Sequence, residues 1–303
     1  MLKEKIARIP NLTKGIICIL TAGLFFAFMN LFVSLAGDVP TIQKTFFRNF
    51  FAMIIASVTM VKNRCSIVPP KGARLDLFLR SAIGYMGVVC NFYAISRLNI
   101  SDASLLNKMS PFFAIIFSTF LLKERADKVQ WSIIITAFVG AMFVIKPTFQ
   151  NAELFASAAG FIGGICAGCA YTYVRRATGK GVKGYYVVFF FSTFSTLAAL
   201  PLTIIGFKPM TAVQFFSLVG AGVSAAVAQF AITSAYSFAP AKEVSIYDYS
   251  QIIFAAVLGF VFMHQIPDGW SYLGYAIIIG AAFAMFRYNN RNKPEQNALE
   301  KKQ

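Results

Sequence analysis

Charge is scarce in this chain, and acidic charge is scarcest. Of 303 residues, 13% are charged, with 12 acidic against 28 basic. A soluble domain carries about 25% charged residues, so the deficit argues against one. Histidine occurs once, at His264. One histidine cannot build a histidine-rich metal centre. No His-Glu-x-x-His, Gly-x-Ser-x-Gly or Walker-type phosphate loop occurs, which leaves hydrolase and nucleotide chemistry without a foothold. His264 reads as an interfacial side chain near Asp268. The five cysteines make no disulfide framework. Cys18, Cys90, Cys166 and Cys169 fall in apolar stretches, and Cys65 lies in a short basic loop. Cys166-x-x-Cys169 has the spacing of a redox or zinc half-site but no second pair. Its setting, Gly163 to Ala170, reads instead as small-residue helix packing. Nothing calls for a metal or a cofactor.

What the chain has is apolar length, at 57% hydrophobic residues. The apolar runs are about 18 to 24 residues long, enough to cross roughly 30 Å of hydrocarbon at 1.5 Å per residue. Barrel strands would alternate polar and apolar over about ten residues. Spans are expected at 14–37, 41–61, 77–97, 102–122, 129–146, 153–174, 184–206, 211–237, 243–264 and 269–288. The first is too long for a signal-peptide core and lacks a small-residue cleavage site. The expected fold is an all-α membrane protein of ten transmembrane helices. The N-terminal residues 1–13 are basic and polar, and the polar tail, 289–303, is expected to fray.

The net charge of +16 raises the question of nucleic acid. The basic residues lie in loops between spans rather than on one soluble face, so nucleic acid is not the expected partner. With the N-terminus inside, 22 of 28 basic residues fall on the inner side. They are Lys3, Lys5, Arg8, Lys14, Lys62, Arg64, Lys71, Arg74, Arg80, Lys123, Arg125, Lys128, Arg175, Arg176, Lys180, Lys183, Lys242, Arg287, Arg291, Lys293, Lys301 and Lys302. Lys44, Arg97, Lys146 and Lys208 fall outside. The positive-inside bias then places both termini in the cytoplasm.

The chain also repeats itself at an offset of 141 residues. Gly23 maps onto Gly164, Val33 onto Val174, Ala94 onto Ala235, Ser96 onto Ser237, Ser104 onto Ser245, Ala114 onto Ala255 and Asp127 onto Asp268. The span boundaries coincide at the same offset. Five spans per half is odd, so the second half enters from the opposite face. Two inverted five-helix repeats, 14–146 and 153–288, are a recurrent plan of secondary transporters. A duplicated bundle without transport is the plainer reading of the same pattern.

Residues Asp102 to Phe113, leading into Leu122-Lys123-Glu124-Arg125, resemble the EamA-type permeases of the drug/metabolite transporter superfamily. The second half repeats the pattern from Ala241-Lys242-Glu243-Val244-Ser245 through Gly259 to His264-Gln265. It departs at Ile252, where the first half has Pro111, and at Gln265, where it has Glu124. The resemblance spans roughly 14–288. It implies a central cavity lined from both halves and alternating access.

Three ionisable residues stand inside the expected spans: Arg48, Lys108 and Asp248. A charge in the hydrocarbon centre costs about 2.5 to 3.5 kcal/mol on insertion scales, so each is a candidate functional group. The plainer reading is a structural ion pair or snorkelling. Asp248 lies in Val244-Ser245-Ile246-Tyr247-Asp248-Tyr249-Ser250-Gln251, where Tyr247, Tyr249 and Gln251 offer hydrogen bonds. Lys108 follows Asn107 and precedes Pro111, whose missing donor leaves a carbonyl free. The 141-residue offset maps Asn107 onto Asp248 and Lys108 onto Tyr249. Lys108 and Asp248 either bind a zwitterion together or pair with each other. Asn30, Tyr171, Asn91, Tyr93, Gln229 and Ser234 are candidates to complete a cavity wall with Phe25, Phe26 and Phe28. Gly160, Gly164 and Gly168 make a small-residue stripe for close packing.

The resulting expectation is a permease for a small polar or zwitterionic metabolite, such as an amino acid. Its setting is a lipid bilayer, in a lone chain that suits a bacterial inner membrane. Asp248 is a candidate carrier of a coupling proton. A channel or a membrane scaffold is the alternative, and a membrane-embedded enzyme ranks last. A channel would favour a ring of like residues from several subunits, and no such ring is visible.

Overall fold

The computed structural model describes residues 10–62, 68, 71–122, 127–145, 153–238 and 245–291. Lys3, Lys5, Arg8, Arg64, Cys65, Lys123, Glu124, Arg125, Lys146, Lys242 and the tail from residue 292 lie outside the described residues. Every element within them is helical: α1 (Asn11–Leu35), α2 (Thr41–Lys62), α3 (Arg74–Ile95), α4 (Ile100–Asn107), α5 (Ser110–Leu121), α6 (Lys128–Ile145), α7 (Leu154–Gly179), α8 (Gly184–Ile205), α9 (Ala212–Phe238), α10 (Ser250–Met263) and α11 (Gly269–Arg291). Helices suit hydrocarbon because each backbone donor finds its acceptor within the same segment. Among the described residues, nine helical stretches are long and apolar enough to cross a membrane, with α4 and α5 counted as one. A tenth, Tyr247–Met263, is apolar but shorter.

That shorter stretch is where the structure departs most from the expected spans. A regular helix was expected over 243–264. Residues Ser245–Tyr249 instead form a 3-10 turn, and α10 begins at Ser250. The α4–α5 segment is also interrupted, at Lys108-Met109, with Pro111 in the first turn of α5. Proline favours that position because its missing N–H would lack a helical partner there anyway. Turn chemistry ends other helices. Gly37 has φ +57° after α1, and Gly181 has φ +85° after α7. His264 closes α10 with φ +52°, while the Gln265 N–H bonds back to Gly259, a Schellman-type ending with histidine where glycine is usual.

The most extensive helix packing joins the two halves. α9 lies along α1, α7 along α3, α8 along α2 and α11 along α6. Glycines set the closest approaches. A Cβ on Gly164 would stand 2.5 Å from the Leu106 carbonyl oxygen, and one on Gly168 would stand 2.6 Å from that of Ser110. Thus α7 packs backbone to backbone on the broken α4–α5 segment. Polar ties fasten the ends. Gln43 exchanges two hydrogen bonds with the backbone of Lys208, at 2.9 and 3.0 Å, and Gln265 accepts from the Ile100 N–H at 2.9 Å. At the other end, Asp76 near the start of α3 holds Lys180 at 2.5 Å and Arg176 at 3.3 Å. Asp127 and Asp268, repeat partners in the sequence, each accept hydrogen bonds from backbone N–H groups at the start of α6 and α11.

Candidate functional site

The two interrupted segments meet. Lys108 Nζ lies 2.5 Å from Asp248 Oδ2, and both side chains are buried. The Phe112 N–H bonds to Met109 instead of Lys108, because the helix is broken there. The freed Lys108 carbonyl accepts the Tyr249 hydroxyl at 3.1 Å. Each break therefore supplies what the other lacks. The lysine head also stands 5.8 Å from the Phe26 ring. Asp248 Oδ1 has no hydrogen-bond partner among the described residues.

Beside this junction lies a cavity of about 90 Å³. Of the residues singled out from sequence, Asn30, Arg48, Asn91, Asn107, Lys108, Tyr171, Gln229 and Gln251 line it. They come from α1, α2, α3, the α4 break, α7, α9 and α10, so both halves contribute. Tyr171 keeps 39% of its surface accessible, and its side chain is within electrostatic reach of Asp248, Arg48 and Arg80. Asn30 donates to the Ser104 hydroxyl at 2.9 Å. Phe26 lines the cavity as well, whereas Phe25, Phe28, Tyr93, Ser234, Tyr247, Asp248 and Tyr249 lie off the lining. Asp248 stands behind Lys108, and Tyr249 is buried against it. Tyr247 is 38% exposed, and Tyr93 sits 5.3 Å from the Arg97 guanidinium.

The sequence reading missed Arg80. The expected third span, 77–97, contains Arg80 only three residues past its start, where it passes for an inner-side loop cation. Helix α3 begins at Arg74, which carries Arg80 about 9 Å into the helix at 1.5 Å per residue. Arg80 is 6% exposed, and its guanidinium lies 3.8 Å from the centre of the Phe191 ring. Arg48 approaches the same ring at 5.8 Å. A usable signal existed. Arg80, Gly84, Gly87 and Asn91 follow i, i+4, i+7, i+11 spacing, one face of a helix, and all four line the cavity. Lys44 was also assigned to the outer loops. It is 1% exposed and donates to the Ser96 hydroxyl at 2.9 Å.

Many apolar helices around an interior polar cavity define a multi-pass integral membrane protein, and relatives give its class as a transporter. The chain belongs to the EamA-like transporter family, whose pattern matches residues 13–146 and again 154–287. It is 28% identical over 278 residues to the pseudopaline exporter of Pseudomonas aeruginosa, covering 91% of this chain and 97% of that one. It is 27% identical over 307 residues to the riboflavin transporter of Vibrio cholerae, covering 94% and 97%. Similarity to solute carrier family 35 member G1 of Homo sapiens is 23% over 294 residues, covering 92% and 80%. A solved crystal structure superposes with a TM-score of 0.66 at 16% identity, covering 92% of this chain and 98% of that one. That last likeness concerns the fold alone. The family and these relatives are transporters, not enzymes.

Proposed function

We propose that this protein is a secondary transporter that moves a small polar organic metabolite by alternating access. The proposed units are two inverted five-helix repeats, 14–146 and 153–288, with Tyr247–Met263 completing the tenth crossing. The excess of lysine and arginine on one side supports cytoplasmic termini, and the proposed setting is a bacterial inner membrane. The candidate substrate wall is the set Asn30, Arg48, Asn91, Asn107, Lys108, Tyr171, Gln229 and Gln251, with Tyr93, Tyr247, Asp248 and Tyr249 behind or beside it.

The observation that carries this reading is the junction of two interrupted segments at a polar cavity between the halves. Discontinuous helices at a repeat interface are a recurrent substrate site in carriers, because a break frees backbone groups to bind and gives the segment a hinge. The volume adds a constraint. About 150 Å³ admits a benzene-sized molecule, so a cavity of about 90 Å³ must widen to load an organic metabolite. The Lys108–Asp248 pair closes on itself here. A zwitterion would reach Lys108 and Asp248 only by separating this pair.

Counterflow in reconstituted vesicles is the test. Metabolites that raise the melting temperature of purified protein are loaded inside, and tracer uptake is followed. Saturable uptake accelerated by internal substrate supports a carrier. Unsaturable flux without that acceleration would point to a channel.

A further inference from the structure

The cavity wall carries more positive charge than the Lys108–Asp248 pair uses. Arg48 and Arg80 are 2% and 6% exposed, and both line the cavity. Among the described residues neither forms a salt bridge, and no lining residue is a carboxylate. Arg48 donates to its neighbour Asn49 at 2.5 Å, while its Nε has no partner. Arg80 leaves both Nε and Nη1 without a hydrogen bond. The two guanidiniums also feel each other electrostatically.

A buried guanidinium with unmet donors is costly, since burial removes the water that would serve them. Two of them facing one space multiply that cost. The ordinary remedy, a carboxylate from the protein, is absent from the lining, although Asp76 and Asp248 each hold partners nearby in the fold. Arg48 belongs to α2 and Arg80 to α3, so their forks enter from different helices. Phe191, Phe26, Met29 and Val88 supply apolar surface beside them. Gly84 clears the space. A Cβ there would stand 3.2 Å from both Arg80 Nη1 and the Phe191 ring.

We infer that the substrate is an organic dianion, a dicarboxylate whose two acidic groups are met by Arg48 and Arg80 across an apolar spacer. This deepens the carrier reading above and rests on it. The charge balance decides for a dianion over a neutral zwitterion. With Lys108 and Asp248 neutralising each other, the cavity holds the charges of Arg48 and Arg80 without compensation. A zwitterion would leave both uncompensated, and a dianion cancels them. Arginine suits the role because its planar fork pairs with a carboxylate through two parallel hydrogen bonds. The Phe191 ring, 3.8 Å from the Arg80 guanidinium, helps hold it by a cation–π contact.

The test uses purified full-length protein and four probe classes: four- and five-carbon dicarboxylates (succinate, glutarate), the neutral diamide succinamide, the zwitterion alanine, and inorganic phosphate. Titration calorimetry gives affinity and melting temperature gives stabilisation. A dicarboxylate should bind and stabilise, with the diamide and alanine at least about tenfold weaker, as expected for loss of charge-assisted hydrogen bonds. Arg80→Gln and Arg48→Gln should each weaken dicarboxylate binding about tenfold to a hundredfold while melting no lower than wild type without ligand. Arg80→Lys should recover part of the affinity.

Several results would overturn the inference. One is alanine binding better than either dicarboxylate. Another is phosphate binding while both dicarboxylates fail. A third is Arg80→Gln melting lower with dicarboxylate affinity unchanged, which would make Arg80 structural. Should the glutamine variants not fold, protection of the wild-type arginines from phenylglyoxal by succinate answers the same question, and absence of protection counts against it. Counterflow separates this inference from the carrier reading. Dicarboxylate binding without counterflow removes the carrier and keeps the anion site. Alanine counterflow without any dicarboxylate response keeps the carrier and removes the anion site.

Discussion

Lys108 and Asp248 show what a buried charge does when its partner comes from elsewhere in the chain. Neither is tolerable alone, and together they bridge two interrupted segments 140 residues apart at 2.5 Å. Removing one partner strands the other, at a cost of about 3 to 5 kcal/mol for a buried pair. Lys108→Met and Asp248→Leu should each lower the melting temperature sharply. The double variant should be more stable than either single one, because no uncompensated charge remains. Thermal unfolding of the four proteins in one detergent gives the coupling directly. Additive single effects would mean that the pair does not form. These two residues were legible from sequence as intramembrane charges, and even as alternative partners. Arg80 was not, because it stands just inside the expected start of its span, where a cation passes for a loop residue and helix boundaries are weakly encoded. Its i, i+4, i+7, i+11 companions are the signal that survives that uncertainty.

At the scale of elements, the close contact of α7 with α4 and α5 decides the geometry of the junction. Gly164 has no room for a side chain. Its Cβ would meet the Leu106 carbonyl, which is backbone and cannot rotate away. Gly164→Ala should therefore cost about 1 to 3 kcal/mol, as overpacking does, and should shift the Lys108 break by pushing α4 outward. Melting temperature measures the first effect. Loss of substrate binding without loss of expression reports the second. The small-residue stripe was readable in the sequence because spacing alone identifies a helix face. The 3-10 turn over Ser245–Tyr249 was not, since no proline or glycine marks it and its partners lie on the other half of the chain. Pro111, by contrast, announced the break in the α4–α5 segment.

Across the whole molecule, two sets of ties sit at opposite ends of the bundle. Gln43–Lys208 and Ile100–Gln265 fasten one end. Asp76, 1% exposed, gathers Lys180 and Arg176 at the other, joining α3 to the end of α7. In the proposed orientation that second end faces the cytoplasm. Asp76→Asn keeps the shape but removes the charge that holds both cations. It should favour opening on that side, so that single cysteines placed along the cavity react faster with a polar maleimide added from the cytoplasmic face of inverted vesicles. An unchanged rate would mean that these contacts do not limit access. Apolar length pointed to ten spans, where the described residues hold nine long helical stretches and one shorter apolar one, and the family pattern matches the chain twice, at 13–146 and 154–287. Which ends are tied was not, because Asp76 and Lys44 stand close enough to helix ends to pass for surface charges.

The uncompensated guanidiniums of Arg48 and Arg80 have a consequence for energetics beyond recognition. A membrane potential acts on charge with about 2.3 kcal/mol per elementary charge per 100 mV. An empty cavity with two net positive charges is subject to that force whenever the field moves past it. A cavity filled by a dianion is electrically silent. If the proposed dianion carrier holds, a negative interior would draw the empty site inward and leave the loaded one indifferent. The return of the empty site, rather than the passage of cargo, would then be the electrogenic step.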